Sequence, residues 1–402
     1  MMLARLKSLI RSPEAKSLPI MSLIALEAGA RPRWTPRDYA ALAREGYTRN
    51  AVVYRAVRLI AESIGSLCFV LYEGVAERED HPLLDLIRRP NPRQDGASFL
   101  ETVVSHLLLA GNAYVEAVSL GANSGDPGDR HVRELYALRP DRMKLVPGVD
   151  GWPQAYDYTV AGRTVRFEQA AAVPPILHLN FFNPVDDHYG MSPLQAAAVA
   201  IDTHNAAAAW NKALLDNAAR PSGALVYAAG AGMMLTEPQR QSIKKEFAEQ
   251  YQGVSNAGRP LLLDGGLDWK PMSLSPREMD FLETKHAAAR EIALAFGVPP
   301  MLLAIPGDNT YANYQEANRA FWRQTALPLA ARIACALAHW LAPAFGDDVM
   351  LAVDTDRIEA LASDRAALWQ RVSAAPFLTV NEKRLATGYG AVEGGDVFPP
   401  IQ

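Results

Sequence analysis

The chain has 402 residues, 49% of them hydrophobic and 21% charged, with a formal net charge of −4. That balance belongs to globular material long enough for two or three domains, and it excludes a disordered or fibrous chain. It also argues against a dedicated nucleic-acid grip, since such proteins draw most of their affinity from Lys and Arg that neutralise phosphates.

At the N-terminus, Arg5, Lys7 and Arg11 precede the apolar run Ile20 to Leu26, and Ala28-Gly29-Ala30 mimics a cleavage site. Pro19 and Glu27 interrupt the pattern, so a loose arm is expected in place of a signal peptide. No run of eighteen apolar residues occurs, and no membrane span is expected. The two cysteines, Cys68 and Cys335, are far apart and sit in apolar stretches, which predicts reduced core residues.

Asn50 can cap a helix with the apolar stripe Val53, Val57, Ile60 and Ile64, ending at Gly65. A strand over Cys68–Glu73 follows. Ser98 and Glu101 form a capping box before Val103, Val104, Leu107 and Leu108, and Gly111 closes that helix. The pattern then turns to strands over Ala113–Ser119, Arg133–Leu138, Arg142–Val146, Ala155–Val160, Thr164–Phe167 and Ile176–Leu179.

Ser192, Pro193 and Gln195 start a long helix that reaches about Ala219. It is rich in alanine, including Ala206, Ala207, Ala208 and Ala209, and poor in large apolar residues. A helix that buries so little bulk suits close contact between helices better than a conventional core. After Arg220-Pro221-Ser222-Gly223, strands are expected over Ala224–Ala228, Arg259–Leu263 and Leu267–Met272, with a helix capped by Thr236 and Gln239. Ser275 begins another helix, carrying Ala288 and Ala289 and ending at Gly297 before Pro299-Pro300. A polar, Gly- and Pro-broken loop then runs from Val298 to Ala312, and irregular loops of that length are usually functional. Asn313 and Glu316 open a helix to about Leu341, and Pro328 should kink it near Thr325. A short strand from Val349, a helix over Arg357–Val372 and a small helix over Thr379–Thr387 complete the chain.

No motif for catalysis or for a cofactor is present: there is no phosphate-binding loop, no nucleophile elbow and no His-Glu-x-x-His. The nearest cluster is His178, Asp186, Asp187 and His188, which would have to supply any metal-assisted hydrolase. Nothing in its spacing fixes four converging ligands, and a turn over Asn183 to Asp187 before the long helix explains its carboxylates better. No enzyme, metal or cofactor is therefore expected. An alternative reading, a membrane-surface protein anchored by residues 1–30, leaves the alanine-rich helix unexplained.

The order of elements and several short stretches resemble the portal proteins of long-tailed phages. The stretches are His81-Pro82-Leu83-Leu84-Asp85-Leu86, Arg89-Pro90-Asn91-Pro92, Leu109-Ala110-Gly111-Asn112-Ala113-Tyr114 and Tyr189-Gly190-Met191-Ser192-Pro193-Leu194. Further on come Asn217 to Gly223, Asp264 to Pro271, Ile292 to Pro300 and Thr310 to Tyr314, so the likeness covers about residues 45 to 395. The composition also fits the version of the family found in gene transfer agents.

The resemblance implies an α+β portal fold. Residues 1–45 would be a poorly defined arm, 46–189 an α/β wing, 190–220 and 276–297 the stem helices, and 221–275 a small α/β clip. Residues 298–313 would be the tunnel loop, 314–354 a kinked wing helix with a return strand, and 355–402 a short helical crown. It implies a homo-oligomeric ring, typically of twelve subunits, at the capsid vertex of a virion or phage-like particle. Double-stranded DNA would pass through it transiently and without sequence preference. Terminase large subunit, head–tail adaptor and major capsid protein would be partners, and no membrane is involved.

On that reading Ile305, Pro306, Gly307, Asp308, Asn309, Thr310 and Tyr311 face DNA, with an ordinary surface loop as the alternative. Ala206 to Ala209, Ala288 and Ala289 pack the stem, and Lys244, Lys245 and Trp269 are candidate clip-docking residues, although a solvated helix face serves as well for the lysines. A conduit must let phosphates slide past, and twelve copies at −4 would carry about −48, which discourages a grip.

Overall fold

The computed structural model describes residue 35 and residues 39–74, 76–119, 132–216, 223–227, 236–239, 241–242, 245, 267–271, 281–307 and 311–397. Residues 1–34 and 36–38 of the expected arm (1–45), the strand over Arg259–Leu263 and the start of the helix at Ser275 lie outside them, while the last residues of that arm are helical from Tyr39. By its internal contacts the chain divides into a unit of residues 34–213 and 276–402 and a unit that takes in residues 214–275.

The helices of the first half are α1 (Tyr39–Leu42), α2 (Ala51–Gly65), α3 (Pro82–Arg88), α4 (Gly96–Ala110), α5 (Pro193–Ala196) and α6 (Ala198–Asp216). Those of the second half are α7 (Phe281–Ala295), α8 (Tyr311–Phe321), α9 (Leu327–Phe345), α10 (Ala362–Ser373) and α11 (Val380–Ala386). The strands are β1 (Phe69–Glu73), β2 (Ala76–Arg78), β3 (Asn112–Ser119), β4 (Val132–Leu138), β5 (Met143–Pro147) and β6 (Pro153–Val160). They continue as β7 (Arg163–Glu168), β8 (Ile176–Asn180), β9 (Gly223–Tyr227), β10 (Leu267–Pro271) and β11 (Val349–Val353).

In the larger unit, three antiparallel sheets have the orders β11-β1-β2, β4-β3-β8 and β5-β6-β7. Asn50 caps α2 as expected: its Oδ1 accepts from Val52 N at 3.0 Å and from Val53 N at 3.2 Å, an arrangement worth about 1 kcal/mol. The stripe Val53, Val57, Ile60 and Ile64 is fully buried. It belongs to one core with Val103, Val104 and Leu107 of α4 and with Ile333, Leu337 and Leu341 of α9. A second cluster under β5 and β6 joins Tyr114, Leu138, Met143, Leu145, Tyr156 and Ile176.

Several expectations are corrected. The cap of α4 is Asp95, whose Oδ1 accepts from Ser98 N at 2.8 Å, so Ser98 and Glu101 lie inside the helix and do not start it. The helix α3 was not anticipated: it has only seven residues, and its cap is the unusual His81, whose Nδ1 accepts from Leu83 N at 3.2 Å. Both cysteines are exposed. Cys68 points away from its buried neighbour Phe69, and Cys335 lies on the face of α9 opposite Ile333 and Leu337.

The long alanine-rich helix is interrupted at Ala197, between α5 and α6, and its described part ends at Asp216. Ser192 caps it, accepting from Gln195 N at 3.2 Å, and Ile201 N donates to the Ala197 carbonyl at 2.9 Å. Where Pro328 was expected to kink the helix, near Thr325, the structure has a change of helical winding. A π-helical turn over Trp322–Ala326 stands immediately before α9, which accommodates the proline's missing N–H and its ring clash one turn back. The helix then passes Pro343 and ends at Gly346, beyond the expected Leu341.

Residues 312–345 form a helix whose length and hydropathy would suit a membrane span. Its apolar face is taken up inside the protein, where Phe321, Ala326, Ala330, Ile333, Ala334, Leu337 and Leu341 are buried. In the smaller unit, β9 and β10 pair antiparallel, with Trp269 opposite Leu225. Thr236 and Gln239 meet there as expected, with Thr236 N donating to Gln239 Oε1 at 2.9 Å.

Candidate functional site

The segment that follows α7 is more ordered than its composition suggests. Gly297 turns the chain with φ +66, and its carbonyl accepts from Thr325 Oγ1 of the π-helical turn at 2.5 Å. A 3-10 turn over Pro300–Leu303 follows, closed by Ala304 with φ +55. A side chain in that left-handed region costs roughly 1–2 kcal/mol, so the surrounding contacts must hold it. Ala304 N donates to the Met301 carbonyl and Ile305 N to the Pro300 carbonyl, each at 3.1 Å.

Ile305 is only 5% exposed and packs against Ala289 and Ala293 of α7. This corrects the sequence expectation for two reasons. The segment is not irregular throughout, and the Ile305 side chain is spent on internal packing, so it does not face a channel. Pro306 and Gly307 are exposed. Asp308, Asn309 and Thr310 lie outside the described residues, and Tyr311 opens α8, two residues ahead of the expected Asn313. Arg290 of α7 reaches over this segment, donating from Nη2 to the Pro306 carbonyl at 2.5 Å.

The alanines of the two long helices divide by face. Ala206 and Ala209 are exposed and Ala208 is half-buried, whereas Ala207, Ala288 and Ala289 are at most 5% exposed within the chain itself. The last three therefore cannot serve mainly for contact with a neighbour. The outward face of α6 carries Val199, Ala206 and Trp210, with Thr203 half-buried between them. On α7, Ala287 and Leu294 look outward, Leu294 with 79% of its surface exposed. The inward side of α6 is fixed by polar contacts: Asn50 Nδ2 donates to Asn205 Oδ1 at 3.0 Å and lies 3.2 Å from His204 Nδ1. Lys245 sits on an exposed helical position, while Lys244 and the side chain of Trp269 fall outside the described residues.

The rival metal cluster is not assembled. His178 is half-buried among aromatic rings, stacked on Tyr114 with centroids 4.4 Å apart. Asn112 Oδ1 accepts from Gly190 N at 2.8 Å and from His178 Nε2 at 2.9 Å. The carbonyl oxygen can only accept, so Nε2 carries the proton and Nδ1 accepts from the Tyr156 hydroxyl at 3.3 Å. Burial, with a smaller contribution from His188, lowers the His178 pKa to about 4. Asp186 is held below the ordinary carboxylate range by the backbone N–H groups of Tyr189 and His188, which it accepts in a turn. Among the described residues no group of three His, Cys, Asp or Glu could hold a metal ion.

The outward faces of α6 and α7 mix alanine with exposed large apolar residues, Val199 and Trp210 on the first and Leu294 on the second. A pinned, proline-bounded loop follows α7, and no catalytic centre is assembled among the described residues. The sequence model of the family described as "Phage portal protein" matches residues 51–388, and the chain belongs to that family.

Among solved structures, a chain in the neck of a native gene transfer agent particle, computed with C12 symmetry, is 52% identical. The match covers 91% of this chain and 97% of that one, with a TM-score of 0.66. An uncharacterized protein of Rickettsia felis is 40% identical over 356 residues, covering 88% of this chain and 90% of that protein. The portal protein of Enterobacteria phage HK97 is 25% identical over 364 residues, covering 86% of this chain and 80% of that protein. The fold is the mixed helix-and-sheet fold of this family.

Sequence reasoning missed two residues of the loop base, Arg290 and Thr325. Both act on backbone carbonyls, of Pro306 and Gly297, and a carbonyl acceptor leaves no mark in a side-chain pattern. Asn112 stands in one of the stretches that carry the family resemblance, but its bonding role is not readable there. The signal available was the pair Gly111-Asn112 and Gly190, small or amide residues at two sharp corners.

Proposed function

We propose that the chain is one subunit of a homo-oligomeric ring, typically of twelve copies, at the capsid vertex of a phage-like particle of the gene transfer agent type. Double-stranded DNA passes through the ring during packaging and ejection, and the chain is structural, not an enzyme. The observation that carries this reading is the outward face of α6, where Val199, Ala206 and Trp210 line one side of a helix whose other side is already packed. Apolar side chains grouped on one exposed helix face mark a contact surface, and Ala206 between them leaves room for a neighbour. The similarity to the neck chain computed with C12 symmetry supports the same assembly.

The loop after α7 is the channel-facing element on this reading, through Pro306, Gly307, Asp308, Asn309, Thr310 and Tyr311, with Ile305 as its internal anchor. A near-neutral, short-chained loop touches the duplex without gripping it, which suits a conduit that meets one phosphate per about 1.7 Å. Residues 221–275 are the clip, which docks the terminase large subunit during packaging and the head–tail adaptor afterwards; Lys244, Lys245 and Trp269 are candidate contacts. The contact-defined unit that takes in residues 214–275 supports that division. The major capsid protein surrounds the ring at the vertex.

Deletion of Gly307 to Thr310 tests the role of the loop. The expected variant assembles rings with wild-type yield and fails to package or retain DNA. Loss of the rings themselves would make the loop a structural element and contradict the proposal.

A further inference from the structure

We infer that His204 is an acid-sensitive latch: as a neutral acceptor it ties α6 to the cap of α2, and once protonated it releases Asn50 and loosens the seam between α6 and residues 35–50. The latch lies within one chain, so its test needs no ring.

Asn50 has no freedom to turn over. Its Oδ1 accepts from the backbone N–H groups of Val52 and Val53, at 3.0 and 3.2 Å. The oxygen must face those donors, so Nδ2 faces α6 and meets Asn205 Oδ1 at 3.0 Å and His204 Nδ1 at 3.2 Å. Asn205 is fixed in turn, because its own Nδ2 donates to the Glu45 carbonyl at 2.8 Å. An amide nitrogen only donates, so His204 Nδ1 must accept, and it does so without a proton.

The setting makes a proton on Nδ1 costly. Asn50 is 1% exposed and His204 9%. A protonated Nδ1 would set donor against donor where little water reaches, and both groups would lose a partner. The charges nearby give no relief. Asp202 accepts from the Thr35 backbone N–H at 2.9 Å and from its hydroxyl. Glu45 and Arg49 pair with each other at 2.7 Å. The charge that acts on the ring is Lys285 of α7, a cation. Burial first, and Lys285 second, hold the His204 pKa below its ordinary value.

The latch also joins two elements through one side chain. The amide that meets α6 is the one that caps α2, so a change at His204 reaches the first turn of α2 directly. His204 titrates near 6.5 when the seam is open and lower when it is latched. Opening is therefore rarest above pH 6.5 and grows as the pH falls from there through the latched value.

Hydrogen exchange over residues 51–54 of the full-length chain, expressed as protection relative to an unstructured peptide at the same pH, reads the latch through the Val52 and Val53 amides. His204→Asn carries an oxygen at the same remove from the backbone as Nδ1, and that oxygen accepts at any pH. Effects of the other histidines are common to both proteins and cancel between them. At pH 7.5 the two should be protected alike. At pH 5 wild type should be about tenfold less protected than His204→Asn, the weight of one lost buried hydrogen bond. The same ratio of protection at both pH values overturns the latch. Lys285→Gln, with His204 in place, is the second arm and decides the matter should His204→Asn not fold. It removes a charge that disfavours the latched imidazolium, so the loss of protection between pH 7.5 and pH 5 should shrink. A loss equal to or larger than that of wild type overturns the proposal.

Discussion

Gly111 and Gly190 lie back to back: a Cβ built on either would strike the carbonyl oxygen of the other. The contact joins the corner after α4 to the turn before α5. Asn112 seals it, accepting from Gly190 N at 2.8 Å and donating from Nδ2 to the Ala110 carbonyl at 3.0 Å. The start of the long helix pair is therefore set by backbone touching backbone, which no side chain can relieve. Gly190→Ala should cost about 3 kcal/mol or more. Gly74→Ala, at φ +60 with nothing within 4 Å of its Cβ, should cost only about 1 kcal/mol. Thermal unfolding of the two variants measures the difference, and equal losses would remove the argument for close approach.

Two half-buried histidines predict acid sensitivity. Burial lowers the pKa of both His106 and His178 to about 4, from 6.5. A histidine whose folded pKa is depressed leaves the unfolded chain binding more protons between the two values. Stability is thus full above pH 6.5 and falls as the pH drops toward 4, by about 2 kcal/mol per histidine at pH 5. Glu116, whose carboxyl is pushed up by burial, works in the opposite direction over the lower part of that range. Replacing His178 with Gln should flatten the fall in Tm between pH 7 and pH 5, and an unchanged slope would contradict the assignment.

The division of the alanines by face gives a sharper test of assembly than the sequence pattern alone. Ala207 is buried within its own chain, so Ala207→Trp should overpack the fold and cost about 1–3 kcal/mol. Ala206 and Ala209 face outward. Ala206→Trp or Ala209→Trp should leave the Tm of the dissociated chain unchanged and reduce ring yield on native mass spectrometry. Undiminished ring yield in both outward variants would show that this face does not meet a neighbour.

Much of this was legible in the sequence because caps and breakers act locally. Asn50, Ser192, Thr379, Gly111 and Pro328 each impose their geometry within one turn of chain, and each did so at the expected place. The strands from Asn112 to Asn180 were legible from their β-branched and aromatic runs between turn residues, although β3 is buried at four consecutive positions and shows no alternation. What the sequence hid depends on distant contacts. Ile305 looks like a loop residue until α7 is placed beneath it. Ala206 and Ala207 are chemically identical neighbours, and only packing decides which is covered. Cys68 and Cys335 lie in apolar stretches, yet both side chains are exposed, Cys68 just before β1 and Cys335 on α9. Arg290 and Thr325 were silent because their acceptors are main-chain oxygens.

Imaging of the purified full-length chain by electron microscopy tests the central claim most directly. Annular particles with an open central channel are expected, with the α6 faces of adjacent copies in contact. A population of single compact molecules, with the Val199, Ala206 and Trp210 face open to solvent and no ring under any assembly condition, would contradict it.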